Sequence, residues 1–164
     1  MATAETATAG AQLDISIERM LEHDLVEVCA IEEMSDLSAW GWEAYHNEMQ
    51  SRLDTIMLVA RVDSSFSECG IAGFIVARLI ADELHVNNVA VRPEFRGRGL
   101  GSTLLQTTLD GARQRNAKIA QLEVRAGNAA AQSLYRRCGF ETVGRRKNYY
   151  REPTEDALLM SLTL

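Results

Sequence analysis

Arg96-Gly97-Arg98-Gly99-Leu100-Gly101 is the segment whose residue types and spacing most directly imply chemistry. It lies between a β-branched apolar run and a helix-forming run. Glycines there let the backbone approach a ligand closely. The first turn of the following helix adds unpaired N–H groups and the positive end of its dipole. Together these make an anion cradle suited to phosphate. The competing reading is a glycine-rich turn that only reverses the chain. Three other phosphate-binding designs fail on local detail. A Walker loop needs Gly-Lys-Ser/Thr, whereas Gly99 is followed by Leu100-Gly101. A dinucleotide fingerprint opens the first βαβ unit and has an acid at the end of the next strand. This loop lies in the second half of the chain, and the next strand ends in Val124-Arg125. The kinase catalytic-loop signature is absent.

Glu123 sits within a largely apolar strand-like run, Ile119 to Val124, where a carboxylate has no packing reason to be. By the period of two it shares a face with Gln121 and Arg125, away from Leu122 and Val124. It is a candidate general base at the mouth of a cleft, or else an exposed strand carboxylate. Tyr135 follows Asn128 by seven residues on one helix, so both project to one side of it. A phenol with pKa ~10 is protonated at neutral pH and can donate a proton. A ring packed on a sheet is the other reading. Asn128 is placed to cap the helix. His23, His46 and His85 lack metal-ligand spacing, and Cys29, Cys69 and Cys138 lie far apart. Neither a metal site nor a disulfide framework is expected.

These residues need elements to position them. Leu13, Ile15 and Ile17 alternate with polar residues as a half-buried strand does. Leu25, Val28, Cys29 and Ile31 follow helical spacing, and Trp42, Tyr45, Met49 and Leu53 repeat it for a second helix. Ile56 to Val62 and Gly70 to Leu79 read as a hairpin. Leu84 to Val91 is a third strand, closed by Arg92-Pro93. A helix from about Gly99 to Arg115 puts Leu100, Leu104, Leu105, Leu109 and Ala112 on one face. Then come a strand from Lys118 to Arg125, a helix from Asn128 to Cys138 and a short strand from Phe140 to Gly144. An apolar strand from Asp156 to Leu164 closes the order. The class is α/β, with a central sheet that changes from hairpin to crossover pairing.

The 164 residues suit one domain, 46% hydrophobic and 24% charged, as a globular protein is. Residues 1–12 read as a disordered tail and 13–164 as a single domain. The tail has no basic start followed by an apolar run, so no secretory signal is expected. No apolar run approaches the ~18 residues of a membrane span. Free thiols and no export signal point to the cytoplasm. A formal net charge of −6 argues against direct nucleic-acid binding and suits a cationic substrate.

Val89-Ala90-Val91-Arg92-Pro93-Glu94-Phe95 followed by the glycine loop resembles the acetyl-CoA motif of the GNAT acetyltransferase superfamily. The consensus core, Arg/Gln-x-x-Gly-x-Gly/Ala, is matched by Arg96, Gly99 and Gly101. The resemblance covers about residues 13 to 164. It implies the GNAT fold, a mixed central sheet flanked by helices in the order β-α-α-β-β-β-α-β-α-β-β. It also implies acetyl-CoA as co-substrate, with no metal. In that family the loop amides hold the CoA pyrophosphate, which assigns Arg96, Gly97, Arg98, Gly99, Leu100, Gly101 and Ser102 to the cofactor. The backbone of Val89, Ala90 and Val91 pairs with the pantetheine arm, and the Asn matching Asn128 touches that arm as well.

A narrower likeness runs through Leu122-Glu123-Val124-Arg125, Asn128-Ala129-Ala130-Ala131, Leu134-Tyr135 and Gly139-Phe140. With Arg145 to Tyr150 and Glu155-Asp156-Ala157, these resemble the RimI branch. That branch acetylates the N-terminal alanine of the eighteenth small-subunit ribosomal protein. The resemblance implies Glu123 as base, directly or through a water, Tyr135 as acid, and a basic ribosomal protein N-terminus as partner. Trp40 and Trp42 sit where that branch carries Pro-Trp, with Ala39 replacing the proline. Arg145 to Lys147 reads as a solvated turn, and Tyr149-Tyr150 as lining for the acceptor site. Two other functions stand beside this one. One is a GNAT enzyme for a lysine side chain, polyamine or small molecule. The other is an acyl-CoA-binding module without turnover, which would need neither Glu123 nor Tyr135.

Overall fold

In a computed structural model, which describes residues 14–51, 53–63 and 70–164, a seven-stranded sheet organises the chain. The elements are β1 (Ile15–Arg19), α1 (Leu25–Glu33), α2 (Gly41–Gln50), β2 (Thr55–Val62), β3 (Ile71–Ile80) and β4 (Glu83–Val91). After them come α3 (Leu100–Gln114), β5 (Ile119–Arg125), α4 (Ala129–Arg137), β6 (Glu141–Arg151) and β7 (Thr154–Thr163). This is the order read from the sequence. The expected tail, Leu13 and the turn of the β2–β3 hairpin lie outside the described residues.

The strands run β1-β2-β3-β4-β5-β7-β6 across the sheet. All neighbours are antiparallel except β4 and β5, which α3 joins in a parallel crossover. Strand β2 shows why both faces need helices: its residues are almost all buried. Ile56, Ala60 and Val62 pack towards α3, while Met57 and Val59 pack towards α1 and α2. The expected α3 stripe is buried, and Thr108 joins it by donating its hydroxyl to the Leu104 carbonyl at 2.9 Å. In α2 the inward face is Tyr45 with Glu48. Trp42 stays 42% exposed and stacks on His46 at 4.7 Å. Leu53 falls beyond the helix and is also exposed, so the apolar spacing over-extended this element.

A second departure is β6. The expected short strand continues to Arg151, so Arg145-Arg146-Lys147 is strand rather than turn. The pairing with β7 breaks between Arg146 and Tyr150, where Asn148 has φ +50°. Asp156 holds this bulge by accepting from Arg145 Nε at 2.6 Å and from the Asn148 amide at 2.9 Å. Strand β6 is the sheet edge and mostly exposed, so it has no buried face to impose an alternating pattern.

Candidate active site

Pairing between β4 and β5 stops at Val86 and Leu122. Beyond that point β3 still pairs with Asn88 to Val91, but the opposite edge of β4 is free of β5. A bulge between Val76 and Ala77 leaves Asn87 unmatched where the strands part. The divergence opens a cleft of about 660 Å³. Leu37 and Trp40 of the α1–α2 loop form one wall, Tyr149 and Tyr150 of β6 the other, and the splayed strands form the floor.

Strand β5 alternates as expected. Ala120, Leu122 and Val124 are buried in the core that also holds Tyr135, while Gln121, Glu123 and Arg125 face the other way. Glu123 and Tyr135 both line the cleft and reach it from opposite faces of the sheet. Glu123, 27% exposed, pairs with Arg146 Nη1 at 3.1 Å and stands against the Tyr149 hydroxyl, whose pKa it raises. Neither contact is legible in the residue spacing, because both depend on the bulge at Asn148.

Tyr135 is 8% exposed, its ring edge-on to Phe140 at 6.1 Å. Burial pushes its phenol well above the ordinary range, and nearby Tyr150 and Cys138 add to the shift. It therefore stays protonated at any working pH. Asn128 caps α4, its side-chain oxygen accepting from the Ala131 amide at 3.0 Å. The cap role leaves its amide nitrogen available beside the cleft, which Asn128 also lines.

The glycine loop ends in a left-handed turn, with φ +74° at Gly97 and +80° at Gly99. A Cβ at either position would meet nothing within 4 Å, so the glycines serve the backbone turn and leave open space above it. The first α3 bond runs from the Thr103 amide to Gly99 O at 3.0 Å, which leaves the amides of Leu100, Gly101 and Ser102 without helical partners. Gly101 has another purpose: its Cβ would lie 3.1 Å from Leu134, so it allows α3 and α4 to approach. Arg96 turns back on the protein, donating to Val91 O at 2.9 Å and Met34 O at 3.3 Å, and thereby braces the loop. Arg98 is exposed. Among the described residues, no group of three His, Cys, Asp and Glu side chains could hold a metal. An open amide cradle, a free strand edge and a cleft between a carboxylate and a protonated phenol fit a long phosphorylated thioester.

The model of the Acetyltransferase (GNAT) family matches residues 17–140. The ribosomal protein bS18-alanine N-acetyltransferase of Salmonella typhimurium is 34% identical over 145 residues, covering 86% of this chain and 92% of its own. The crystal structure of the ribosomal-protein-S18-alanine N-acetyltransferase from Escherichia coli aligns with a TM-score of 0.79 at 29% identity, over 92% of this chain and 94% of that one. The ribosomal-protein-alanine N-acetyltransferase from Brucella melitensis gives 0.75 at 28% identity, over 91% and 99%. Fold, cradle and these matches agree that the chain belongs to the GNAT family, as an acetyl-CoA-dependent N-acetyltransferase resembling the RimI branch.

Proposed function

We propose that this enzyme acetylates a protein N-terminal α-amine, the N-terminal alanine of the eighteenth small-subunit ribosomal protein, in the cytoplasm. The observation that carries this reading is the cleft that presents Glu123 from one face and Tyr135 from the other. The relatives' named substrate and the net charge of −6, suited to a basic N-terminus, support the choice of acceptor.

The amides of Gly99, Leu100, Gly101 and Ser102 would hold the donor's pyrophosphate, in the cradle shaped by Gly97, Arg98 and Gly99 and braced by Arg96. The free edge of β4 at Val89, Ala90 and Val91, beside Asn128, would take the donor's arm. Bound there, acetyl-CoA supplies an acyl group activated as a thioester. An α-ammonium has a pKa of ~8, so about a tenth of it is neutral near pH 7. Glu123 takes the remaining ammonium proton, directly or through a water, and the neutral amine attacks the acetyl carbonyl. The adduct breaks its C–S bond to release the CoA thiolate, and the nitrogen gives its second proton to solvent as the amide forms. Tyr135 donates its hydroxyl proton towards the departing sulfur. Its raised pKa makes full transfer to a thiolate uphill, since thiols titrate at ~8.5. Hydrogen-bond donation to the developing negative charge is therefore its main contribution.

Labelled acetyl-CoA with short peptides beginning in Ala, Ser or Met, and with a blocked N-terminus, tests the reading. Labelling of the Ala-first peptide alone is expected. Labelling of the blocked peptide through lysine would move the acceptor to a side-chain amine, and CoA binding without any labelling would leave a binding module.

A further inference from the structure

We infer that Arg125 is a positioning residue for the acceptor: it latches the β6–β7 hairpin onto the β5–α4 turn and so holds Tyr150 across the cleft. The inference rests on the acceptor reading given above. Arg125 ends β5 two residues after Glu123, on the same face, with its side chain only 15% exposed. Its guanidinium stacks on the Tyr150 ring, 4.1 Å from the centroid. The same group reaches the hairpin turn. Nη1 donates to Pro153 O and Nη2 to Glu152 O, each at 3.4 Å, and Nη1 lies 3.3 Å from Glu155 Oε2.

Glu155 completes the latch by accepting from the Gly127 amide. A Cβ at Gly127 would stand 2.6 Å from Glu155 Oε1, so a side chain there would obstruct the carboxylate. Behind the latch, buried Gln132 of α4 donates to the carbonyls of Arg125 at 3.1 Å and Ala126 at 2.8 Å. The next residue after Gly127 is Asn128, which caps the helix carrying Tyr135. One side chain thus connects the acceptor wall to the helix that supplies the acid. Arginine suits the post because its planar fork serves two carbonyls, a carboxylate and an aromatic face together. A lysine ammonium is a compact point charge without that shape.

The test uses the full chain with Arg125→Lys and Arg125→Met. Hydrogen exchange is read at the hairpin amides, and steady-state kinetics are measured with acetyl-CoA and an Ala-first peptide. Hairpin exchange should rise about tenfold or more, reporting local opening. The acceptor KM should rise about tenfold while the acetyl-CoA KM stays within about twofold, because the released hairpin walls the acceptor side and the cradle at Gly99 to Ser102 is untouched. In a Tyr150→Leu background Arg125→Met should add little to the acceptor KM, since the arginine acts on the acceptor through Tyr150. Unchanged hairpin exchange overturns the inference. So does an acetyl-CoA KM that rises in step with the acceptor KM, or a fully additive double variant. Arg125→Lys keeps the charge and serves where Arg125→Met does not fold. Should wild type acetylate no N-terminal peptide while hairpin exchange still rises, the acceptor reading fails and the latch stands. The KM comparison is then made on the amine that wild type does use.

Discussion

A carboxylate already serving a guanidinium and a phenol must give up part of that service to take a proton from an amine. Glu123 is in this position, with Arg146 and Tyr149 against it. Glu123→Gln should lower turnover by ~10²–10⁴-fold while leaving acetyl-CoA affinity by calorimetry nearly unchanged. The deficit should shrink between about pH 6 and 9, as more of an amine with pKa ~8 is already neutral. A constant mutant-to-wild-type ratio across that range would count against the base role. Tyr135→Phe removes one hydroxyl from a packed ring, so folding and donor binding should persist while turnover falls ~10²-fold. A donor with a more acidic thiol should narrow that defect. The raised phenol pKa also has a stability consequence with a definite sign. A folded pKa above the unfolded value of ~10 gives a contribution fully present below pH ~10 and lost as pH rises through the folded pKa. Urea midpoints should therefore fall above pH ~10, and less steeply in Tyr135→Phe.

At the scale of elements, the turn from β4 into α3 was the most legible part of the site. A left-handed turn favours glycine whatever surrounds it, and the glycines that permit one are written in the sequence. Gly99→Val should weaken acetyl-CoA binding sharply, because its side chain would enter the open space over the amide cradle. Gly41→Ala is the control, with the same sign of φ at +75° and equal room for a Cβ, but at the start of α2. Both variants carry about 1–2 kcal/mol of backbone strain, and only Gly99→Val should lose donor affinity. Equal affinities in folded Gly99→Val and wild type would remove the pyrophosphate from this loop. Strand β6 shows the opposite case. Arg145, Arg146 and Lys147 alternate nothing apolar, and their strand exists because β7 and the carboxylate of Asp156 hold them there.

Across the whole molecule, a buried polar chain ties the helical side to the sheet. The Tyr45 hydroxyl donates to Glu32 at 2.6 Å and accepts from Asn88 of β4 at 2.8 Å. Glu32 also accepts from the amides of Trp40 and Gly41 at 2.7 and 3.0 Å, fixing the loop that walls the cleft. Tyr45→Phe should cost about 1–3 kcal/mol in urea unfolding, since Asn88 and Glu32 lose a buried partner. An unaltered midpoint would show that water replaces the hydroxyl. By itself, the sequence determined the element order, the sidedness of β5 and α3, the glycine cradle and the placing of Asn128 at a helix start. Each follows from a local rule, namely residue periodicity, backbone freedom or end-capping, that needs no distant partner. Only the tertiary structure decided that Arg146 and Tyr149 flank Glu123, that Arg96 braces the loop from behind, that Trp42 stays outside, and that Arg125 reaches the β6–β7 turn. Those contacts join residues as far apart as Met34 and Arg96, and the ones at Glu123 also depend on the bulge at Asn148. Such geometry arises when a whole sheet is packed, and no spacing along one strand encodes it.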